Sequence, residues 1–436
     1  MNIDSLKYLL NSIYNSSFSS LKTGTDKVTR NKFSSIKDEE FGIILRKCSN
    51  RSYKFTRPKK IRVKNRTVLI PTIRDFLLLE ALRRLVEQKL FIKYPDRDKI
   101  IRKLKQKLKS KQNYYVIRLD IKNFFDSIPH NFLLKKLKER HSLSIVEYYL
   151  LKEYLLLAGR KGVPTGISLS NILSEFYLME IDKNLQSIHP RISSYFRYVD
   201  DIIILINGDI DTNSELLSLK QSIRKAFLKE GLKLNLDKQK DVNFNFDNTK
   251  HEEFEYLGYK FKKRGLKVET LLSNKKEKEI KGKIKFIFEE YGNEENLDLL
   301  IERLGYISRV NTMITSSIKI NSRLRSYELK NLIYHGILES YKRVDDSVWE
   351  DLDIYLQGNI FSKFQETLNE NELKQNLFKN SFKVSKRKSF LNKFHLKDNS
   401  FFVDKILSLS DDYEIHELSM MDRNTLEKKY REVLRL

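Results

Sequence analysis

The sequence has few of the residues that usually break or cross-link a chain. Its 436 residues include one cysteine, 14 glycines and 6 prolines. A single cysteine, Cys48, excludes an intramolecular disulfide framework and any cysteine-rich zinc module. The shortage of glycine and proline predicts long helices and few irregular linkers.

Long hydrophobic runs are missing as well. No segment reaches the roughly 18 uninterrupted apolar residues that a membrane-spanning helix needs. The first residues, MNID at 1–4, lack the basic start and apolar run of a signal peptide. These absences predict a soluble, intracellular protein.

Positive charge is what the sequence has in excess. Lysine and arginine number 83 against 58 aspartates and glutamates, which gives a net charge of +25. With 40% hydrophobic residues, the chain is globular rather than disordered. The charge therefore indicates a polyanionic partner, either a nucleic acid or an anionic membrane surface, and does not by itself choose between them.

The pattern of residues changes along the chain. A basic extended stretch at 61–70 ends at Pro71, and a helix is predicted over 75–89. Apolar residues then recur at helical spacing over 100–108 with lysines between them. That helix has two interpretations: a surface helix with a solvated lysine face, or a helix that faces phosphates.

The middle of the chain is rich in strand-forming residues. YYVIRLD at 114–120 predicts a strand that ends in Asp120, and the stretch 195–206 carries two aspartates in its middle. A third strand-like stretch, 254–262, comes after a predicted helix at 218–229.

From about residue 273 the pattern is helical. The best helical segments are 277–290, 297–310, 324–344 and 348–368.

Asp200 and Asp201 are unusual because apolar runs flank them on both sides. Burying unpaired carboxylates in an apolar core is costly. At a hairpin tip that faces a cleft, however, a divalent cation can neutralise them. An ordinary β-turn is the alternative, but the pair lacks the glycine that a two-residue hairpin turn usually needs. Two Mg²⁺ ions about 4 Å apart could activate a 3′-hydroxyl and stabilise a pyrophosphate leaving group.

Several strings of residues resemble the motifs of bacterial reverse transcriptases. YVDD at 198–201 resembles the YxDD box, and residues 119–128 and 162–170 resemble the first and second palm motifs. LNLDK at 234–238 matches the LNxxK motif. YLG at 256–258 is similar to the primer grip, and RTVLIP at 66–71 to the fingers segment. The motifs lie in the expected order over about residues 50–265.

The resemblance implies an α+β fold: a right-hand polymerase with fingers and a palm built on an antiparallel sheet, followed by an all-α C-terminal domain. The implied regions are an N-terminal and fingers region at 1–112, the palm at 113–265, a helical thumb-like region at 266–345 and a C-terminal helical region at 346–436.

The resemblance also implies how metal ions would be held. Asp120 and Asp200 would be the principal ligands, and Asp201 the weaker or second-site acid. Ile121 would offer its backbone carbonyl. The implied cofactor is Mg²⁺, as two ions, with Mn²⁺ as a possible substitute.

Other positions would contact the nucleotide or the departing pyrophosphate. Arg66 and Lys64 would pair with the triphosphate, and Lys238 would act as a general acid or stabilise charge near the pyrophosphate. Phe125 would be the bulky steric gate that selects deoxynucleotides; its alternative role is a core aromatic. The remaining implied nucleotide-binding residues are Thr165, Gly166 and Tyr198. Thr165 stands where many reverse transcriptases carry glutamine.

Residues 166–178 are most similar to the abortive-infection and defence-associated (DRT, unknown-group) reverse transcriptases. This resemblance implies an RNA-directed DNA polymerase that takes dNTPs and an RNA template, makes DNA, and acts in the cytoplasm in antiviral defence. A non-coding RNA, further copies of the chain or a partner defence protein are its implied partners. The ordered palm motifs favour nucleic acid over a membrane as the polyanion.

Alternatives remain open at this point. The same palm would suit a retron or group II intron-derived enzyme, or template-independent or protein-primed DNA synthesis. A nucleic-acid-binding scaffold with a degenerate palm is a non-enzymatic alternative, and Phe125 disfavours an RNA polymerase. Phenylalanines and lysines over 378–397 predict either a helix core face or a surface for single-stranded nucleic acid.

Overall fold

A computed structural model of the chain describes residues 3–17, 23–63, 66–208, 213–246, 251–294, 296–321, 326–364, 381–387 and 391–435. The chain divides into two compact units, Met1–Glu252 and Glu253–Leu436. None of the described helices combines the length and the apolar character that crossing a membrane requires.

The first unit contains helices and antiparallel strands. Its helices are α1 (Ile3–Ser17), α2 (Arg30–Ser49), α3 (Ile73–Leu90), α4 (Arg97–Lys109), α5 (Phe124–Ser127), α6 (His130–Glu139), α7 (Ile145–Leu156), α8 (Ser168–Ser187) and α9 (Asn213–Lys229). Its strands are β1 (Lys59–Val63), β2 (Arg66–Ile70), β3 (Tyr114–Asp120), β4 (Ile192–Tyr198), β5 (Asp201–Asn207) and β6 (Lys240–Phe244). Leu236–Lys238 form a 3₁₀ turn.

The central sheet has the strand order β4-β5-β3-β6, and every neighbouring pair is antiparallel. β5 explains why the apolar run of the sequence is continuous: Ile202–Ile206 are all fully buried because the strand lies in the middle of the sheet with both faces covered. Each such side chain contributes about 1.5–3 kcal/mol on burial. The predicted α+β fold with an antiparallel palm sheet is confirmed.

The predicted fingers segment is a β-hairpin followed by a helix. β1 and β2 pair antiparallel, with Val63 opposite Arg66. Thr72, directly after Pro71, then caps α3 by accepting the backbone N–H of Asp75. The expected extended stretch and the helix that follows it are therefore both present.

The basic helix α4 is amphipathic, as its spacing predicts. Asp96 caps its first turn by accepting the N–H of Lys99, and Ile101, Leu104 and Leu108 are buried. Its lysines lie on the other sides of the helix, and the structure therefore confirms a surface helix with an exposed basic face.

The second unit begins with a small sheet and continues with helices and a long hairpin. Its strands are β7 (Glu253–Tyr256), β8 (Tyr259–Arg264), β9 (Lys267–Leu272), β10 (Val310–Asn321), β11 (Ser326–His335) and β12 (Leu391–Asn392). Its helices are α10 (Asn274–Glu294), α11 (Leu297–Ser308), α12 (Ile337–Ser340), α13 (Asp346–Phe364), α14 (Phe382–Arg387), α15 (Asn399–Leu409), α16 (Ile415–Ser419) and α17 (Arg423–Leu434).

The predicted helix over 324–344 is wrong, and the region 266–345 is not wholly helical. β11 pairs antiparallel with β10, and only a short helix follows Gly336. β10 is rich in valine, isoleucine and threonine, which favour strands. In β11 Tyr327, Leu329 and Ile333 fit a period of two, but Leu329, Leu332 and Ile333 are also spaced three and four residues apart, as on one face of a helix. Spacing alone therefore does not separate the two elements here.

Of the four phenylalanines in the stretch 378–397, Phe382 and Phe394 lie within the described residues. Phe382 is fully buried and stacks on Trp349 with ring centroids 6.0 Å apart. Phe394 packs against the hydrophobic cluster that includes Phe402 and Tyr430. Both are core residues; Phe378 and Phe390 lie outside the described residues.

Candidate active site

The aspartates predicted from the sequence meet at one end of the central sheet. Asp120 ends β3 and is the register partner of Asp201, the first residue of β5. Tyr198 ends β4 and is also paired with Asp201, so that Val199 and Asp200 form the turn of the β4–β5 hairpin. Antiparallel pairing thus brings together two segments that are distant in sequence.

A cavity of 570 Å³ opens at this end of the sheet. Asp120, from the end of β3, and Asp200, from the β4–β5 turn, both line it. The other lining residues come from β2, the β3–α5 segment, the loop before α8, the start of α8, and the 3₁₀ turn: Thr67, Val68, Ile121, Asn123, Phe124, Phe125, Asp126, Thr165, Gly166, Ser170, Asn171, Asn235 and Lys238.

Asp120 is held by two residues of the LNLDK segment. Lys238 Nζ lies 3.0 Å from Asp120 Oδ2, and Asn235 Nδ2 lies 3.3 Å from the same oxygen. The Asn235 backbone N–H also donates to the Asp120 carbonyl at 2.7 Å. The side chain of Lys238 is 64% exposed, so its charge faces the cavity and solvent together. Lys238, which is predicted to stabilise the leaving group, therefore lies directly beside Asp120, a predicted metal ligand.

Asp201 has a different environment from Asp120. Arg118 donates to both of its carboxylate oxygens, at 3.0 and 2.9 Å, in a bidentate ion pair. Burial raises the pKa of Asp201, and the Arg118 charge opposes that rise without cancelling it. Asp201 does not line the cavity. Its carboxylate is therefore engaged by Arg118 of the neighbouring strand rather than presented to the cavity.

The turn of the hairpin has a strained backbone. Val199 has φ +58°, a left-handed conformation that a β-branched residue rarely adopts. The buried guanidinium of Arg197 donates to the Val199 carbonyl at 3.0 Å. It also forms ion pairs with Glu175 and Asp182 of α8. Arg197 therefore ties the strained turn to the neighbouring helix.

The second palm motif lies against the β1–β2 hairpin. Leu69 N donates to the Thr165 carbonyl at 3.0 Å, and the Thr165 hydroxyl donates to the Thr67 carbonyl. Gly166 has φ +88°, and a Cβ on it would lie 2.4 Å from Val68 Cγ1. A glycine is required there both by the backbone conformation and by the close approach of β2.

Phe125 lies on the short helix α5, lines the cavity, and is half-buried beside fully buried Phe124. This position is compatible with the predicted gate. Tyr198 is half-buried at the end of β4 and does not line the cavity. Arg66 begins β2, but its side chain is not described, and Lys64 lies outside the described residues.

The side chains present fit a divalent cation that shares its ligands with a substrate. Asp120 and Asp200 supply two carboxylates to one cavity, and Ile121 lines it as well. Magnesium takes few protein carboxylates and completes its shell with water and phosphate oxygens. Within the described ranges, no three histidine, cysteine, aspartate or glutamate side chains form a ready-made metal site. The set thus suits an ion that arrives with a nucleotide.

Sequence reasoning missed Arg118 and Arg197. Arg118 is the basic residue within the apolar strand YYVIRLD, and Arg197 precedes YVDD in a strand of mixed burial. A cation in a buried strand predicts a carboxylate partner. The partner's identity, however, depends on strand register, which the sequence does not state.

One protein family matches the part of the chain that contains this site. Residues 59–261 match the family described as reverse transcriptase (RNA-dependent DNA polymerase). No match was found among curated proteins.

Several solved structures of telomerases align with this chain. Apo telomerase from Candida tropicalis aligns with a TM-score of 0.43 at 14% identity, over 92% of this chain and 68% of that chain. A form truncated from the C-terminal domain gives 0.38 at 15%, over 56% and 60%. Telomerase from Candida albicans in complex with a TWJ fragment of telomeric RNA gives 0.39 at 12%, over 93% and 66%. This chain spans 60–68% of the length of these structures.

The family match covers every strand of the central sheet and each residue that lines the 570 Å³ cavity. Residues 59–261 of this chain are therefore similar to the reverse transcriptase (RNA-dependent DNA polymerase) family.

Proposed function

We propose that the chain extends a 3′-hydroxyl with dNTPs, copying an RNA template in the cavity lined by Asp120 and Asp200. One observation carries the proposal: Asp120, at the end of β3, and Asp200, in the β4–β5 turn, line the same 570 Å³ cavity as Lys238 and Phe125. In each cycle the 3′-oxygen bonds to the α-phosphorus, the bond to pyrophosphate breaks, and the hydroxyl proton is lost.

Asp120, Asp200 and the Ile121 carbonyl would hold the metal ions. When bound, two Mg²⁺ ions, or Mn²⁺ in their place, lower the pKa of the attacking hydroxyl and neutralise the leaving pyrophosphate. Lys238, whose Nζ lies 3.0 Å from Asp120 Oδ2, would hold positive charge or donate a proton beside that carboxylate. Asp201 would act as a second-site acid only weakly, because Arg118 occupies both of its oxygens.

The nucleotide would lie between the fingers hairpin and the palm. Arg66 and Lys64 are assigned to the triphosphate because guanidinium and ammonium groups suit phosphate oxygens. Thr165 and Gly166 would contact the nucleotide or the template, and Phe125 would exclude a ribose 2′-hydroxyl. Tyr198 would act from beside the YVDD turn, since it does not line the cavity.

The wider role that we propose is bacterial antiviral defence in the cytoplasm, with a non-coding RNA as template or partner. In this proposal the fingers region covers 1–112, the palm 113–265, the thumb-like region 266–345 and the C-terminal region 346–436. The similarity of residues 166–178 to defence-associated enzymes supports the role, and the charge of +25 supports a bound RNA.

Primer extension with an Asp200→Asn variant tests the polymerase proposal. We expect incorporation of dNTPs to be lost while the circular-dichroism spectrum stays that of the parent chain. Asp237→Asn is the matched control, because Asp237 is an exposed carboxylate of the LNLDK segment that does not line the cavity. Extension by the Asp200 variant at the parent rate would refute the assignment.

Sequencing the nucleic acids that co-purify with the chain tests the wider role. A defined non-coding RNA together with DNA made after phage challenge would support it. A branched RNA–DNA product would instead indicate a retron enzyme, and intron RNA a maturase. DNA attached to a tyrosine or serine of the chain would indicate protein priming.

A further inference from the structure

A second and larger cavity, of 770 Å³, lies on another part of the first unit. One wall is the end of α4 and the residues after it, and the other wall is the strand β4. Its lining residues are Lys103, Gln106, Lys107, Ser110, Gln112, Ile192, Ser193, Ser194, Tyr195 and Phe196. None of these residues lines the 570 Å³ cavity that holds Asp120 and Asp200. We call it the α4–β4 groove.

The helical wall of the groove is a polar, basic face. Lys103, Gln106, Lys107 and Ser110 are spaced three and four residues apart, so that they lie on one side of α4. All four are exposed. Among the residues that the structure describes, Lys103 and Lys107 have no ion-pair or side-chain hydrogen-bond partner. Lys103 and Lys107 are about 6 Å apart along the axis of α4, and their ammonium groups therefore face the groove without a charge partner among the described residues.

The strand wall is the edge of the central sheet. β4 has a neighbour, β5, on one side only. Its register shifts between Ile192 and Ser194, which places Ser193 at an irregularity of the edge. Hydroxyl groups of Ser193 and Ser194 and the half-buried ring of Phe196 line this wall. The wall therefore offers hydrogen-bonding groups and two aromatic residues, Tyr195 and Phe196.

The balance of charge in the groove selects an anionic occupant. Its lining contains two lysines and no carboxylate. A smaller cavity of 300 Å³ shares Lys103, Tyr195 and Phe196 with it and is also lined by Lys99. The carboxylates of that cavity include Glu175 and Asp182, which are already paired with Arg197. The third carboxylate, Asp96, accepts the backbone N–H of Lys99 as the cap of α4. Lys103 and Lys107 are therefore the cations that the α4–β4 groove presents to an anion.

We propose that the α4–β4 groove binds one single strand of nucleic acid through its phosphates, at a site separate from the catalytic cavity. Lysines that follow the backbone, with an aromatic side chain for a base to stack on, are what a single-strand site requires. The proposal does not depend on polymerisation, because the groove could hold a strand in a chain that extends nothing.

Binding of a labelled oligouridylate to the full chain, without dNTPs and over a series of salt concentrations, tests the proposal. The test variant is K103A/K107A. The matched control is R102A/K109A, which removes the same charge from exposed positions of the same helix that do not line the groove. Alanine favours helix at all four positions, so both variants should keep the helix content of the parent.

We expect K103A/K107A to weaken binding and to reduce the slope of log K against log salt by about 1.4, from about 0.7 for each of two lost phosphate contacts. The control, R102A/K109A, should lose little affinity and should keep most of the slope. A 4-thiouridine probe should cross-link to peptides that contain residues 103–112 or 192–196. Equal losses in both variants, no loss in either, or tighter binding of polyglutamate than of oligouridylate at the groove would overturn the proposal. Primer extension by K103A/K107A, measured separately, shows whether the polymerase itself is intact.

Discussion

The two aspartates of the YVDD turn, although adjacent in sequence, have different surroundings. Asp200 lines the 570 Å³ cavity, whereas both oxygens of Asp201 accept from Arg118 of the neighbouring strand β3. The difference arises because Asp200 lies in the β4–β5 turn, whereas Asp201 is the first residue of β5 and is paired with β3. Asp201 therefore contributes chiefly by joining β5 to β3, and Arg118 is the residue through which it does so.

Removing Arg118 should destabilise the first unit. In Arg118→Met we expect a loss of about 1–2 kcal/mol in the free energy of unfolding, because a partly buried carboxylate loses its partner. Urea denaturation measures it. In an Asp201→Asn background the same substitution should cost much less. Lys135→Ala, which breaks an exposed pair with Glu139, serves as control and should cost only a few tenths. A cost for Arg118→Met that is equal in both backgrounds would contradict the pairing.

Phe125 should decide which sugar the site accepts. In Phe125→Ala, rNTP incorporation should rise relative to dNTP incorporation, because the ring that lines the cavity no longer occupies the space of a 2′-hydroxyl. The ratio of kcat/KM values for the two nucleotides measures the change. Phe124→Leu is the comparison, since Phe124 is fully buried and should affect stability rather than the ratio. An unchanged ratio in Phe125→Ala would leave Phe125 as a core aromatic.

Cys48 should be unreactive in the folded chain. It is buried, and burial raises the pKa of its thiol to about 12. The reactive thiolate is therefore scarce at neutral and moderately alkaline pH. We expect iodoacetamide at pH 8 to leave Cys48 unmodified under native conditions and to modify it fully in denaturant, as followed by mass spectrometry. Rapid native modification would mean that this part of the chain opens readily.

At the scale of elements, the contact between the β1–β2 hairpin and the loop before α8 depends on one glycine. Gly166→Ala should force β2 away from the loop, because the added Cβ would lie 2.4 Å from Val68 and the backbone has φ +88°. We expect a loss of about 2–4 kcal/mol in unfolding free energy and a fall in primer extension.

Gly159→Ala is the matched control for that change. Gly159 also has a positive φ, +101°, but no atom lies within 4 Å of a Cβ built on it. Gly159→Ala should therefore lower the free energy of unfolding by only about 1 kcal/mol, which is the cost of a positive φ for alanine. Val68→Ala combined with Gly166→Ala should recover part of the loss. If the two glycine variants behave alike, the close approach of β2 is unimportant.

The elements that the sequence predicts best are those whose pattern has one interpretation. The apolar run after Asp201 predicts a strand because it is short and rich in isoleucine, and the spacing of Ile101, Leu104 and Leu108 predicts an amphipathic helix. The β10–β11 hairpin was not predicted, because its apolar residues fit either period. Tertiary pairing lies beyond such patterns. The pairing of Arg118 with Asp201 depends on strand register, and the pairing of Arg197 with Glu175 depends on how α8 packs against β4.

At the scale of the whole molecule, the charge of +25 should make nucleic-acid binding strongly salt-dependent. For a single strand we expect log K to fall with log salt at a slope of about −3 or steeper, because each phosphate contact contributes about −0.7. Fluorescence anisotropy at several salt concentrations measures the slope. Asp200→Asn should keep it, since the substitution removes a carboxylate and no cation. An affinity that is independent of salt would contradict binding through phosphates.

The pairing of distant segments also determines when the chain can become active during its synthesis. Arg118 and Asp201 are 83 positions apart, and Asp120 and Lys238 are 118 positions apart. Contacts of such high sequence separation form late, because long loops must close first. A chain leaving the ribosome holds Asp120 long before Lys238 exists to pair with it. Catalytic competence is thus a late event in folding, and recovery of activity reports completion of the first unit.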